Sequence, residues 1–393
     1  MTLAKGREFL MIPGPTNVPD EVLRAMHRPA IDIYDGALLV VTDTCMADLK
    51  TVFGTAGMPF IYAANGHGAW EAALSNTLSR GDKVLVLDSG RFARGWGEMA
   101  TKLGLEVEVL AGDWRRAVDP QAVTARLATD TGGEIKAVLV VQVDTASGVI
   151  NDIPALRRAI DAAGHGALFM VDTIASLGCV PYEMDAWGVD LTVTGAQKGL
   201  MTPPGLAFVA AGAKAMAAHE SADLVTFYWD WTFRQGSEHY QKYCGTPPEH
   251  LLYAFRQALD ILLGEGLEAA HLRHALLAGA VRACLTAWAE GGAMEFNILD
   301  PRERSDSVTV MRTPGFDPKA LKTFCQETCG VTIGGTIGEI AGQGFRIGHM
   351  GHVNAPMVLG TLGAMELGLA ALKIPHGRGG LQAAIDHLAA ALG

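Results

Sequence analysis

The sequence predicts an α/β protein with two parts: a large domain built on a mainly parallel sheet and a smaller C-terminal α+β domain. First, short apolar runs alternate with helix-like segments over the first two thirds of the 393 residues. Second, these runs are apolar throughout rather than at every other position, which is typical of strands buried on both faces of a sheet. Third, the pattern changes after Thr246-Pro247-Pro248, where long helical sequence begins.

The elements of the large domain follow one another as strand, helix, strand. Each strand-like run ends in small or polar residues, and ligands bind beyond the carboxyl ends of the strands in sheets of this kind. The predicted strands are 59–68, 83–90, 135–148, 167–173, 191–199 and 206–212. The predicted helices are 69–78, 93–103, 120–129, 154–163 and 184–187.

The C-terminal part begins with helical sequence that is interrupted near Gly264-Glu265-Gly266. Glycine at this point favours a helix end, since it lowers helix propensity and adopts the left-handed conformation easily. Strand-like runs follow at 307–313, 331–335 and 344–351. We therefore expect an N-terminal segment at 1–20, a large domain at 21–260 and a small domain at 261–393.

The composition excludes several kinds of partner. The net charge is −11 and there is no basic block, which argues against nucleic acid and anionic membranes. The six cysteines are scattered, which fits a reducing compartment, and no apolar run is long enough to cross a membrane. A cytoplasmic protein is expected. Glycine is the compositional outlier at 47 of 393 residues, which predicts many tight turns at strand ends.

Two residues at predicted strand ends point to chemistry. Asp172 ends one predicted strand and Lys198 ends the next, so both are expected to face the same edge of the sheet. An acid and a lysine placed in this way suit pyridoxal 5′-phosphate (PLP), because the lysine forms the Schiff base and the acid partners the pyridinium nitrogen. The alternative is that Asp172 caps a turn and Lys198 is a solvated surface residue.

A second cluster, Asn65-Gly66-His67-Gly68, follows a strand and opens a helix. Free amides at a helix N-terminus bind anions, and glycines allow a phosphate to approach the backbone. An ordinary strand-to-helix turn has the same pattern. A dinucleotide fingerprint, a P-loop and a nucleophile elbow are all missing from the sequence.

Taken together, these motifs resemble the class V aminotransferases of PLP fold type I, specifically the serine–glyoxylate and alanine–glyoxylate aminotransferase group. The resemblance extends over nearly the whole chain and implies the fold type I architecture of large and small domains. The similar motifs are MIPGPTNVPDEVLRAM (11–26), NGHGAWEAALSNTLSRGDKVLV (65–86), VDTIASLG (171–178), GAQKGL (195–200), YCGTPP (243–248) and FRIGHMG (345–351).

The resemblance implies a role for each matching residue in holding PLP. Lys198 is the Schiff-base lysine, which also moves the proton between the substrate Cα and the cofactor, and Asp172 pairs with the pyridinium nitrogen. The other cofactor residues are Gly66, His67 and Gln197 at the phosphate, Phe92 and Ile174 on the ring, and Thr145 at the phenolic oxygen. Tyr243 and Thr246 reach the phosphate from a neighbouring subunit, which implies a homodimer.

The same resemblance places the substrate. Arg346 holds the substrate α-carboxylate, as expected of a planar guanidinium that pairs with a carboxylate through two hydrogen bonds. The backbone at Gly14 approaches the substrate. His349 is either a helper or a satisfied core histidine. The implied reaction moves the amino group of serine or alanine to glyoxylate or pyruvate by a ping-pong mechanism.

Some positions depart from the serine–glyoxylate pattern. Many of those enzymes have His-Arg where this chain has Ile33-Tyr34, and Glu where it has Asp144. Both differences resemble pyridoxamine–pyruvate aminotransferase, so Tyr34 is a candidate substrate-binding residue. However, Ile337 and Asn65 stand where that enzyme has an arginine and a glutamate.

Three alternatives to an amino acid transaminase stay open. One is a transaminase for another amine, such as pyridoxamine with pyruvate as acceptor. Another is a lyase of the cysteine-desulfurase type that would use Cys325 or Cys329. The last is a PLP-binding protein without catalysis. The aromatic stretch Phe227, Tyr228, Trp229 and Trp231 either packs internally or forms a lid or subunit contact.

Overall fold

The computed structural model describes residues 2–393 of the chain. Its strands are β1 (Phe9–Met11), β2 (Met58–Tyr62), β3 (Lys83–Leu87), β4 (Glu106–Leu110), β5 (Ile135–Val141), β6 (Val143–Asp144), β7 (Val149–Ile150), β8 (Leu168–Asp172), β9 (Leu191–Gly195), β10 (Ala207–Ala211), β11 (Glu295–Phe296), β12 (Val308–Arg312), β13 (Val331–Gly335) and β14 (Gly344–Gly348). Its α-helices are α1 (Asp20–Met26), α2 (Ala37–Phe53), α3 (Gly66–Thr77), α4 (Arg91–Lys102), α5 (Pro120–Ala128), α6 (Ile153–Ala162), α7 (Ala213–His219), α8 (Trp231–Arg234), α9 (Glu249–Glu265), α10 (Leu267–Ala289), α11 (Pro318–Cys329), α12 (Ala355–Ala371) and α13 (Gly380–Leu392).

The large sheet confirms the predicted α/β class. Its strand order is β2-β10-β9-β8-β5-β3-β4, and the pairs from β9 to β4 are parallel. Strand β10 is the exception, since it runs antiparallel to both β2 and β9. Every residue of β8, β9 and β10 is buried, which explains why their sequences are apolar on both faces.

Several local predictions for the large domain differ from the structure. Strand β4 was not predicted. The run predicted as a strand over 191–199 ends at Gly195, so Lys198 lies in the loop after β9 and not in the strand. The segment 184–187, predicted as a helix, is a turn in which Met184 donates its N–H to the Phe53 carbonyl and Gly188 has φ +65°. The run predicted as a strand over 59–68 ends at Tyr62. The Asn65 side chain accepts a hydrogen bond from the His67 N–H and so caps α3, which begins at Gly66.

A second, smaller sheet has the strand order β1-β13-β14-β12-β11. The strands predicted at 307–313, 331–335 and 344–351 all belong to it. The N-terminal strand β1 also joins it, in parallel to β13, and this pairing was not predicted. The interruption near Gly264–Gly266 separates α9 from α10 at Gly266, where φ is +88°. The predicted division between residues 260 and 261 falls inside α9. None of the helices within residues 2–393 combines the length and apolarity needed to cross a membrane.

Candidate active site

The large sheet carries a cavity of about 250 Å³ at the carboxyl ends of its central strands. Val141 ends β5 and Asp172 ends β8, and both line the cavity, while Gln197 and Lys198 reach it from the loop after β9. The topology of a parallel sheet places these strand ends side by side. Nine of the predicted site residues form its wall: Gly14, Gly66, His67, Phe92, Thr145, Asp172, Ile174, Gln197 and Lys198.

The Asp172 carboxylate is buried and held by two donors. Its Oδ2 accepts from the indole Nε1 of Trp70 at 2.7 Å, and its Oδ1 accepts from the Ile174 N–H at 2.6 Å. Burial is the largest effect on this group and raises the pKa of Asp172 to about 7, whereas the two hydrogen bonds oppose the rise. A cationic ring nitrogen placed against this carboxylate would stabilise its ionised form further.

Lys198 extends into the same cavity. Its ammonium donates to the carbonyl of Pro13, and its chain lies against Gly14, where an added Cβ would come within 2.4 Å of Cδ. Burial, and to a smaller extent the charge of Arg346, lower the pKa of Lys198 to about 8, while Asp172 opposes this shift. A lysine with this pKa is partly neutral near physiological pH, as a nucleophilic or basic amine must be.

The first turn of α3 forms one end of the cavity, as the NGHG motif predicts. Helix N-termini leave several N–H groups without partners inside the helix, and they favour anions. Gly66 leaves room here, because a Cβ on it would lie 2.4 Å from Ile174 Cδ1. Gln197 lines the cavity, and among the described residues its buried Oε1 atom has no hydrogen-bond partner. The N–H2 group of the same amide can donate to a phosphate oxygen. These features suit the phosphate end of PLP.

Phe92 and Thr145 are joined through a buried acid, Asp144. The Asp144 Oδ2 accepts from the N–H groups of Phe92 and Ala93, and its Oδ1 accepts from the Ala146 N–H. It therefore caps α4 from another element. Burial raises the pKa of Asp144 to about 6 against these three hydrogen bonds.

Arg346 lies in β14, beside the cavity rather than in its wall. Its Nε donates to the Gly335 carbonyl at 2.6 Å, and its Nη1 donates to the Thr145 carbonyl at 2.9 Å. No carboxylate among residues 2–393 lies within ion-pair distance of it. Burial lowers its pKa to about 10. His349, by contrast, is a satisfied core histidine, bonded to Thr309 Oγ1 and to the Asp306 carbonyl.

Besides Arg346, three predicted site residues do not line the cavity of their own chain. Tyr34 is 69% exposed, and Thr246 is also exposed. Tyr243 is buried, and its hydroxyl hydrogen-bonds Thr42 Oγ1 at 2.8 Å. The predicted roles of Tyr243 and Thr246 concern a second subunit and that of Tyr34 concerns the substrate, and all three stay predictions.

Two cysteines offered for lyase chemistry also lie elsewhere. Cys325 is buried in α11, and burial raises the pKa of its thiol to about 12. Burial also raises the pKa of Cys329, at the end of the same helix. A high pKa disfavours the reactive thiolate, and neither side chain lines the cavity. The structure gives the lyase interpretation no support.

The aromatic stretch is divided between packing and exposure. Trp231 is fully buried, stacks on Phe60 and donates to Tyr62. Phe227 is 70% exposed and Tyr228 39% exposed.

The sequence interpretation missed two residues of the site. Trp70 lies in the quoted NGHGAW motif, one helical turn after Gly66, and that i, i+4 spacing was the available signal. Asp144 was noted only as a replacement for glutamate, because nothing local in the sequence shows that it caps α4.

Comparisons with known proteins identify the family of this chain. The family described as aminotransferase class-V matches residues 43–347. Serine–glyoxylate aminotransferase of Methylorubrum extorquens is 39% identical over 96% of this chain and 95% of its own length. L-aspartate–glyoxylate aminotransferase of Paracoccus denitrificans is 38% identical over 96% of this chain and 95% of its own. The crystal structure of pyridoxamine-pyruvate aminotransferase from Mesorhizobium loti superposes with a TM-score of 0.89 at 29% identity, covering 100% of both chains. The chain therefore belongs to the class-V aminotransferases and is a PLP-dependent transaminase of fold type I.

Proposed function

We propose that this transaminase moves the amino group of serine or alanine to glyoxylate or pyruvate, by a ping-pong mechanism that depends on Lys198. When bound, PLP supplies an electron sink for the negative charge that develops at the substrate Cα. Asp172 would pair with its ring nitrogen, and Thr145 with its phenolic oxygen. The phosphate would lie against Gly66, His67 and Gln197, with Phe92 and Ile174 on the ring.

The observation that carries this proposal is the state of Arg346. Its guanidinium is oriented by two backbone carbonyls and has no carboxylate partner among residues 2–393. A partly buried cation without an ion pair is costly unless a ligand supplies the negative charge. The remaining N–H groups can hold the α-carboxylate of an amino acid and, in the second half of the cycle, that of an oxo-acid.

Lys198 would act as the general base and acid at the substrate Cα. Its pKa of about 8 leaves a fraction of neutral amine near pH 7, and general catalysis is most effective when the pKa lies close to the working pH. A cationic ring nitrogen placed against Asp172 would keep this carboxylate ionised, and the pair would favour loss of the Cα proton.

We also infer a homodimer in the cytoplasm. Tyr243 and Thr246 match residues that reach a neighbouring phosphate, and Tyr34 and Phe227 are exposed aromatic residues available for a subunit contact. All six cysteines are free, which suits a reducing compartment.

The second candidate is a transaminase for pyridoxamine with pyruvate. It is favoured by the similarity over 100% of both chains to the Mesorhizobium loti structure. Two residues weigh against it. Asn65 is occupied as the cap of α3, and Ile337 is apolar where the pyridoxamine enzyme has an arginine.

Half-reaction spectroscopy separates the two candidates. PLP-loaded protein is mixed with L-serine, L-alanine, L-aspartate or pyridoxamine, and the absorbance of bound PLP is followed. We expect serine and alanine to discharge the band within one turnover and glyoxylate or pyruvate to restore it. Conversion by pyridoxamine alone would overturn the first candidate in favour of the second.

A pair of arginine variants tests the carboxylate site. Arg346→Met should raise the half-saturating serine concentration by about 10- to 100-fold, the range expected for lost hydrogen bonds between charged groups. Arg302→Met is the matched control, because Arg302 is an exposed residue that pairs only with Asp300. Equal behaviour of the two variants would contradict the role of Arg346.

A further inference from the structure

We propose that Trp70 is a positioning residue, which holds the Asp172 carboxylate in one orientation and stabilises its negative charge. The indole Nε1 donates to Asp172 Oδ2 at 2.7 Å, a short distance typical of hydrogen bonds to charged acceptors. Trp70 is 1% exposed and its ring forms part of the cavity wall. Asp172 is 2% exposed, so both partners of the bond are buried.

The chemistry of the two donors selects the ionised carboxylate. An indole N–H and a backbone N–H can donate but cannot accept a hydrogen bond. They occupy one oxygen each, Trp70 on Oδ2 and Ile174 on Oδ1. A proton on Asp172 would weaken both bonds, since a neutral carboxyl accepts less strongly than a carboxylate. Trp70 thus offsets part of the cost of burying this acid.

Other groups around Asp172 do not replace the indole. Lys198 favours the ionised form by its charge, whereas the nearby Asp144 opposes it. His67 lies in the first turn of the same helix, and burial lowers its pKa, which disfavours a charged imidazole beside Asp172. Arg346 lies beside Thr145, and no hydrogen bond joins it to Asp172 within residues 2–393.

Aromatic packing fixes the indole itself. Its ring stacks on Trp96 at 5.9 Å with an interplanar angle of 13°. It meets His67 edge-on at 4.6 Å and Phe92 at 6.4 Å. Both of these residues are assigned to the cofactor, so the ring that orients Asp172 also supports the phosphate end and the aromatic face. A smaller or more mobile side chain at position 70 would loosen all three contacts.

A matched pair of variants tests the proposal. Trp70→Phe removes the donor while keeping an aromatic ring. Trp96→Phe makes the same change in the stacked neighbour, whose Nε1 has no acceptor among the described residues. We expect Trp70→Phe to weaken PLP binding by about tenfold and to move the pH transition of the bound cofactor's absorbance upward by about one unit, since one pKa unit corresponds to 1.36 kcal/mol. Trp96→Phe should change PLP affinity by less than twofold and the pH of the absorbance transition by only a few tenths of a unit. Equal effects of the two variants would overturn the proposal.

A second measurement needs no variant that alters packing. In apo-protein labelled with ¹⁵N-tryptophan, the Trp70 indole N–H resonance should shift with pH as Asp172 titrates, and Asp172→Asn should abolish that shift. A pH-independent Trp70 resonance contradicts the proposal even if Trp70→Phe does not fold. The inference rests on the proposed pairing of Asp172 with the cofactor, but this titration is made without PLP and substrate. Failure of the proposed substrates would therefore leave it unchanged.

Discussion

Substitution of Gly66 by alanine should weaken PLP binding while leaving the fold nearly unchanged. The new Cβ would lie 2.4 Å from Ile174 Cδ1, more than 1 Å inside the optimal separation of about 3.5–4.0 Å between carbon atoms. The conflict is with the end of a flexible side chain, so Ile174 can move. Because Ile174 lines the cavity, we expect it to move into the space that the cofactor ring requires.

The size of the effect follows from the contact. Overpacking by one methyl group costs about 1–3 kcal/mol. If most of this cost falls on the bound state, PLP affinity drops by about 10- to 100-fold. The free energy of unfolding of the apo-protein should change little, because alanine gains up to about 1 kcal/mol over glycine within a helix. The assay is PLP titration of apo-protein by quenching of tryptophan fluorescence, with thermal unfolding measured in parallel.

Two further variants make the test decisive. Ile174→Val deletes Cδ1, the one atom that conflicts most closely, so Gly66→Ala with Ile174→Val should regain most of the lost affinity. Gly264→Ala is the control, since Gly264 is helical in α9 and an added Cβ meets nothing within 4 Å. The reasoning is refuted if the double variant binds PLP no better than Gly66→Ala alone.

Three other outcomes are expected. The rate of PLP capture by apo-protein should rise with pH around a midpoint near 8, because the neutral form of Lys198 increases. Arg346→Met should move that midpoint upward, because the charge of Arg346 lowers the Lys198 pKa. A stopped-flow pH series measures both midpoints, and an unchanged midpoint in the variant counts against this coupling. Asp172 has a raised pKa, so the folded apo-protein keeps its proton up to about pH 7 while the unfolded chain loses it near 4. The contribution of Asp172 to the free energy of unfolding therefore falls as pH rises from 4 to 7, by at most about 1.4 kcal/mol per pH unit. Urea unfolding at pH 5 and 8 should show that wild type loses stability relative to Asp172→Asn, which has no carboxyl to titrate. A constant difference between the two proteins would argue against a raised pKa. Replacing Cys325 and Cys329 by serine should leave single-turnover transamination intact, and its loss would revive the lyase interpretation.

Sequence patterns predicted six of the seven strands of the large sheet and missed β4. They predicted a mainly parallel sheet but did not show which strand runs antiparallel. Residues Ala207–Ala211 of β10 are all buried, and burial on both faces gives the same apolar run whether a strand is parallel or antiparallel. The direction of β10 depends on the short connection that follows β9, and the periodicity of the sequence gives no information about that connection. Likewise, Phe9–Met11 is too short a run to predict that β1 pairs with β13 some 320 residues away. Local patterns identify strands, whereas pairing partners are set by the packing of the whole chain.

Site residues at the ends of strands could be predicted because position and chemistry coincide there. Asp172 ends one apolar strand and Lys198 lies just beyond the end of the next at Gly195, and the topology places both at one cavity. Trp70 and Asp144 could not be found by the same means. Each acts through a contact with a residue distant in sequence, Trp70 with Asp172 and Asp144 with the start of α4. The spacing of Trp70 from Gly66 indicates only that both lie on one face of a helix, and a buried acid has no local signature of its role.

The abundance of glycine acquires a physical explanation at three positions around the cavity. At each of them, the space of a missing Cβ is filled by a side chain of the site: Lys198 at Gly14, Ile174 at Gly66, and the Asp144 carboxylate at Gly90, which lies 2.1 Å from that position. Gly14 also has φ +95°, which disfavours other residues, whereas the space alone constrains the other two. Because the three neighbours contact different parts of the site, an alanine at each position should displace a different one: the lysine amine, the ring face, or the cap of α4. The glycine backbone thus sets the distances within the site, since the functional side chains pack directly against it.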